Sequence, residues 1–192
     1  MESYHIQSYC HIRDQEISLN GTSIFKSGET NFADFIKSAY KILDTHYPKF
    51  FKMDSLSKLA FMATEVLLTS ETEKNMALVV SNRAASLETD RKHYNSLVGD
   101  NPYASPALFV YTLPNICLGE ISIRHGLLSE NSFFIFEDFN AEVKIFKYKK
   151  TILMPKFCRI MPTTYWLQER QKKHFVVGSI WTVENMMPFC TL

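Results

Sequence analysis

Glycine is scarce in this chain, six among 192 residues, and none falls in a glycine-rich phosphate loop or a GxSxG elbow. Nucleotide binding through such a loop and serine hydrolysis therefore have no support. An excess of charge of one sign is missing too. The 21 Lys and Arg residues face 20 Asp and Glu, a formal net charge of +1, whereas a domain that binds a polyanion usually carries a strong basic excess. Nucleic acid is not an expected partner. Long hydrophobic runs are also absent. The longest weakly polar stretch, Pro106 to Gly119, is broken by Pro114 and Asn115, and the opening "MESYHIQSYC" has no basic region followed by an apolar one. The expectation is a soluble cytoplasmic protein, neither secreted nor embedded in a membrane. The four cysteines, Cys10, Cys117, Cys158 and Cys190, are widely spaced without a CxxC, which suits reduced thiols.

What is present is a large apolar fraction, 46% hydrophobic and 14% aromatic, enough for one sizeable core. Neither repeats nor low-complexity linkers divide the chain, so residues 1–192 are read as a single domain. Tyr4 to Arg13 predicts a first strand, followed by a connection through "NGTSIFKSGETN". Ala33 to Leu43 predicts a short helix ending before Pro48. Asp54 or Ser55 is placed to cap the next helix, whose Leu56, Leu59, Ala60, Ala63, Val66 and Leu67 fall at helical spacing. Met76 to Val80 reads as a compact strand, and "SNRAASLETDRKHYNSL" as a turn and a helix. A helical region from Ala107 to Ile123 is interrupted at Pro114. Ser132 to Phe136 predicts a buried strand, and a lysine-rich alternating segment "VKIFKYKKTILM" follows it. Thr163 to Lys173 reads as a helix, and "HFVVGSIW" and "MMPFCTL" as two closing strands able to pair as a hairpin. Strands alternating with helices predict an α/β fold with a mixed sheet.

The segments "YPKFFKMDSLSKLAFMATEVLL", "ALVVSNRAASLETD", "ASPALFVYTLPNICLGEISIRHGL" and "HFVVGSIWTVE" follow one another as similar segments do in the amino-terminal half of β-ketoacyl synthases. The piece that runs from Ser105-Pro106 through Pro114-Asn115 to Gly119 and Gly126 resembles that family's pocket-forming segment. The resemblance covers nearly the whole chain. It implies half of a thiolase-like fold, with about five strands in a mixed sheet and helices on both sides, in a family that condenses acyl chains held on acyl carrier proteins.

The resemblance breaks where the family keeps its chemistry. There the strand similar to Ser132–Phe136 is followed by a cysteine at a helix start, whose thiolate accepts the acyl chain. Counted from Gly126 and Asn131, that position falls at or near Asp138, and a carboxylate there cannot form a thioester. The family's histidines and lysine belong to the second half of its fold, before which this chain is expected to stop. A shifted alignment offers Cys158, flanked by Lys156, Phe157 and Arg159, as an alternative nucleophile in a condensing or acyl-transfer site completed by a partner chain. The two cations favour a thiolate. The bulky neighbours, and the lack of a nearby histidine, favour an incidental thiol. The expected role is therefore non-catalytic.

Other candidates weigh toward structure. Cys10 and His11 point to opposite faces of a strand, and no second ligand pair completes a metal site with them or with His5. No metal or cofactor is expected. His125 reads as a cation at a helix end, Glu65 as a residue on the exposed edge of its helix, and Arg83 as a turn-stabilising cation after a strand. The resemblance implies an acyl pocket or subunit interface from Pro106, Leu108, Tyr111, Pro114, Asn115, Phe133 and Phe134. It also implies pairing of the Ser132–Phe136 strand across a twofold axis, in a homodimer or with a full-length ketosynthase, as chain-length factors do. Lys144, Lys147, Lys149 and Lys150 form a basic cluster that would suit an acidic acyl carrier protein, although a solvated face balanced by Glu142 and Glu169 is the commoner use.

Overall fold

Two tight turns begin the chain's described architecture. Asp14 and Gln15 have φ of 51° and 55°, and Asn20 and Gly21 have φ of 52° and 82°. Two successive residues at positive φ are what a type I′ turn requires, and its twist matches that of paired strands. Strands β1 (Cys10–Arg13), β2 (Glu16–Leu19) and β3 (Thr22–Lys26) therefore form an antiparallel meander. The Asn20 carboxamide braces it by accepting the Tyr9 amide at 2.9 Å. This corrects the sequence reading, which made β1 the whole of the element and treated Asn20 to Asn31 as a connection. A computed structural model describes residues 8–69, 74–98 and 102–137, with the strand backbones 157–161, 167–168 and 174–180.

Helix α1 (Phe32–Ile42) starts where the Asn31 side chain accepts the Ala33 amide at 2.7 Å. A short 3₁₀ turn, Pro48–Lys52, leads to α2 (Ser55–Leu68), capped by the Asp54 carboxylate accepting from the Ser57 amide at 2.9 Å. The helix buries more than one stripe. Ser57, Phe61, Met62, Thr64 and Leu68 join the expected face, while Leu59 is only half-buried. A helix buried this widely must donate its polar groups internally, and the Thr64 hydroxyl does so to the Ala60 carbonyl at 2.8 Å.

Strand β4 (Met76–Asn82) is buried at all seven positions. Since successive side chains alternate between faces, both faces of the sheet are covered at this strand. Met76, Leu78 and Val80 join the main core, with Phe50, Phe61, Leu118 and Ile121. Helices α3 (Leu87–Leu97), α4 (Pro106–Val110) and α5 (Ile116–His125) follow, the last two separated by the turn that contains Pro114. Gly126, at φ 64°, ends α5 in the left-handed region, and the Leu127 amide returns to the Ser122 carbonyl at 3.0 Å. The chain then enters β5 (Asn131–Ile135).

The larger sheet has five strands in the order β5-β4-β8-β6-β7, with β6 at Phe157–Met161, β7 at Leu167–Gln168 and β8 at His174–Ile180. β5 and β8 flank β4 in parallel, β6 runs parallel to β8, and only β7 is antiparallel. The mixed α/β sheet is as expected, but one element is corrected. Leu167–Gln168, inside the expected helix Thr163–Lys173, is strand backbone paired with Phe157–Cys158. The β-branched and aromatic run Thr163-Thr164-Tyr165-Trp166 just before it has the composition of a strand rather than a helix. The segments "VKIFKYKKTILM" and "MMPFCTL", and the proposed closing hairpin, lie outside the described residues. No helix among the described residues is long and apolar enough to cross a membrane.

Candidate functional site

β5 is the end strand of the five-stranded sheet. It pairs with β4 through Leu78↔Asn131 to Asn82↔Ile135, and no described strand pairs with its other side. Alternation sends Phe133 toward the core, where it packs on the buried cluster, and Phe134 to the opposite face, where its ring stacks on Phe136 at 5.7 Å. Ile135 is 56% exposed and Leu128, in the approach to the strand, is 90% exposed. An end strand with unpaired backbone groups and uncovered apolar side chains is a template for another chain.

The chain enters β5 from α5, which is tied to α2 and the 3₁₀ turn by two carboxylates. Glu65 of α2 meets Arg124 through two hydrogen bonds of 2.9 Å, and its Oε1 lies 2.9 Å from His125 Nε2. Burial works to raise the Glu65 carboxyl, but contact with His125 and Arg124 outweighs it and holds the group below its usual range. Arg124 also donates to the His46 carbonyl at 3.2 Å and lies over the Tyr47 ring. Glu65 is thus not on an exposed edge, as its sequence position suggested. Its side chain is 10% exposed because α5 covers that flank.

Glu120, one of the buried residues of α5, was missed by sequence reasoning. Tyr47 donates its hydroxyl to Oε2 at 3.0 Å and Lys49 Nζ lies 2.8 Å from Oε1. Burial, and then the charges of Glu120 and Asp54, push the Tyr111 phenol up to about 12. The available signal was a lone acid inside the apolar run of α5, which must find a partner when buried.

The expected pocket residues stand on and just after α4, at the start of α5 and on β5. Pro106 occupies the first turn of α4, and Leu108 is half-buried. Tyr111 turns into the Glu120 network. Pro114 accepts the Cys117 thiol at 3.1 Å through its carbonyl, and Asn115 starts α5 without a side-chain cap. Phe133 and Phe134 diverge on β5. Tyr103, Phe109, Val110 and Leu113, in the same stretch of chain, are exposed. Arg83 follows β4 and is half-buried.

Cys10 and Cys117 are unsuited to nucleophilic work. Cys10 and Cys117 are free and buried, and burial pushes the Cys10 thiol up to about 12 and the Cys117 thiol well above the usual thiol range. Cys158 stands within β6, with Leu167 as its cross-strand partner. The backbone there is a strand, and the helix expected to follow it at Thr163–Lys173 is replaced at Leu167–Gln168 by strand. Asp138 and the cluster Lys144, Lys147, Lys149 and Lys150 lie outside the described residues. No group of three or more His, Cys, Asp or Glu is placed to hold a metal ion among the described residues.

No family model and no curated relative matches the sequence. A solved structure of a ketosynthase (ApeO) in complex with its chain length factor (ApeC), from Xenorhabdus doucetiae, is similar over 88% of this chain and 80% of the matched chain. The TM-score is 0.56 and the identity 15%. At that identity the likeness is one of fold, and it identifies the mixed α/β architecture as thiolase-like.

Proposed function

We propose that this protein is a non-catalytic ketosynthase-like subunit whose work is contact, docking through β5 onto a second copy or onto a full-length ketosynthase in fatty-acid or polyketide-type synthesis. The observation that carries the reading is the place of β5, at the end of the sheet with Ile135 and Leu128 uncovered. The solved neighbour, itself a ketosynthase with a chain length factor, supports a partner of that kind. Asp138, standing at or near the sequence position of the family's nucleophile, supports a silent role. Two buried high-pKa thiols point the same way. The Lys144–Lys150 cluster supports an acidic carrier protein as a further partner in the cytoplasm.

Size-exclusion chromatography with light scattering tests the reading, on the protein alone and mixed with full-length ketosynthases and acyl carrier proteins. A dimer or a stoichiometric complex is the expected result. A monomer in every mixture would sink the proposal.

A further inference from the structure

We infer that Asn20 is a site of spontaneous deamidation, gated by opening of the turn between β2 and β3. Asn20-Gly21 is the chain's one Asn-Gly step, and both residues are exposed. The reaction needs no partner but water. The Gly21 amide nitrogen gives up its proton to solvent and attacks Asn20 Cγ. A C–N bond forms, the bond from Cγ to Nδ2 breaks, and Nδ2 leaves as ammonia with a proton returned by solvent. Water then opens the cyclic imide at either carbonyl, to aspartate or to isoaspartate. Glycine favours the attack because it has no Cβ beside the attacking nitrogen.

The fold holds the reacting atoms apart. Asn20, at φ 52°, is the first central residue of a type I′ turn, whose ψ is about +30°. That ψ directs the next amide away from the residue's own side chain, so ring closure requires the turn to rotate open. Tyr9 opposes the rotation at two points. The Asn20 amide donates to the Tyr9 carbonyl at 2.8 Å, and the Tyr9 amide donates to Asn20 Oδ1 at 2.9 Å. Tyr9 stands one residue before the Cys10↔Leu19 pair, so the carboxamide oxygen takes the ladder place of a main-chain carbonyl. The Tyr9 hydroxyl also lies over Gly21, 3.0 Å from where a Cβ would stand. The two products differ in what they keep. Aspartate retains an oxygen for the Tyr9 amide and tolerates positive φ, whereas isoaspartate adds a main-chain atom to a turn of two residues and disturbs the register of β3. Either acid cancels the formal net charge of +1.

The test is incubation of the wild-type protein at mildly alkaline pH, with and without denaturing urea, followed by peptide mass spectrometry with fragmentation that separates aspartate from isoaspartate. In the folded protein Asn20 is expected to convert before every other asparagine, including Asn95 and Asn131, each followed by serine. In urea its rate is expected to rise by about tenfold or more, because the closed turn no longer has to open first. Conversion of another asparagine ahead of Asn20 would overturn the site, and equal rates with and without urea would overturn the gate. Tyr9→Pro removes the amide that holds Oδ1 and is expected to raise the folded-state rate severalfold, with unfolding still cooperative. A folded Tyr9→Pro protein that converts no faster would also overturn the gate. Should that variant fail to fold, the wild-type rates decide alone.

Discussion

The guanidinium of Arg124 spans the carboxylate of Glu65, Nε to Oε1 and Nη2 to Oε2, each at 2.9 Å. This fork joins the last turn of α5 to the last turn of α2, 59 residues earlier. Lysine has one compact amine and cannot reproduce a two-point contact. Arg124→Lys is expected to destabilise the fold by roughly 1–3 kcal/mol, since Glu65 is left half-satisfied in a buried site. Urea denaturation followed by circular dichroism measures it, and an unchanged midpoint would refute the role of the fork.

The same carboxylate predicts a pH dependence. Glu65 titrates below its usual value near 4.5 in the folded protein and at about that value when unfolded. Its stabilisation is therefore complete above the unfolded value and disappears as pH falls through the folded one. Glu65→Gln should flatten this acid limb. Urea midpoints collected from about pH 7 down to pH 3 compare the two proteins. Parallel curves would show that the limb belongs to other groups.

Phe61 is wholly buried, and its ring lies 5.1 Å from Tyr47 and 5.5 Å from Phe50. Replacing it with Ala leaves a cavity between α2 and the 3₁₀ turn. The expected loss is roughly 3–5 kcal/mol. A loss below about 1 kcal/mol would mean that the turn collapses to fill the space.

Cys10 and Cys117 are both buried and hard to ionise. Neither should react with iodoacetamide at neutral pH in the folded protein, and both should react fully in denaturant. Mass spectrometry of alkylated peptides reads each site separately. Rapid native labelling of either thiol would contradict the packing described for it.

Ile135 is largely exposed at the end of β5. Ile135→Lys places a charge on the proposed docking edge and should leave stability within about 0.5 kcal/mol, as surface changes usually do. Association, measured by light scattering, should be lost. Retained association with Ile135→Lys would move the interface elsewhere, Phe109 and Leu113 being the next apolar surface to examine.

The helices were legible in the sequence because their signals are local. Asp54, one of the two residues offered as a cap, does start α2, and the apolar spacing of α2 describes one of its buried faces. The opening meander was legible as well, though it was not read. Asn20-Gly21 between two alternating segments is the strongest short-range hairpin signal, and the structure uses it. Leu167–Gln168 misled because the polar run after Trp166 resembles a helix, while a partner strand already waits at Phe157–Cys158.

The site divides along the same line. The apolar character of Phe133 to Phe136 and the break at Pro114 belong to the sequence, since both follow from residue type and near neighbours. The ordering of the strands, the end position of β5, and the partners of Glu65 and Glu120 were decided only by the tertiary structure. Each depends on residues far apart in the chain, as with Arg124 against Glu65 or Tyr47 against Glu120. A sequence shows that a buried charge needs a partner, but which side chain reaches it is fixed by how the helices pack.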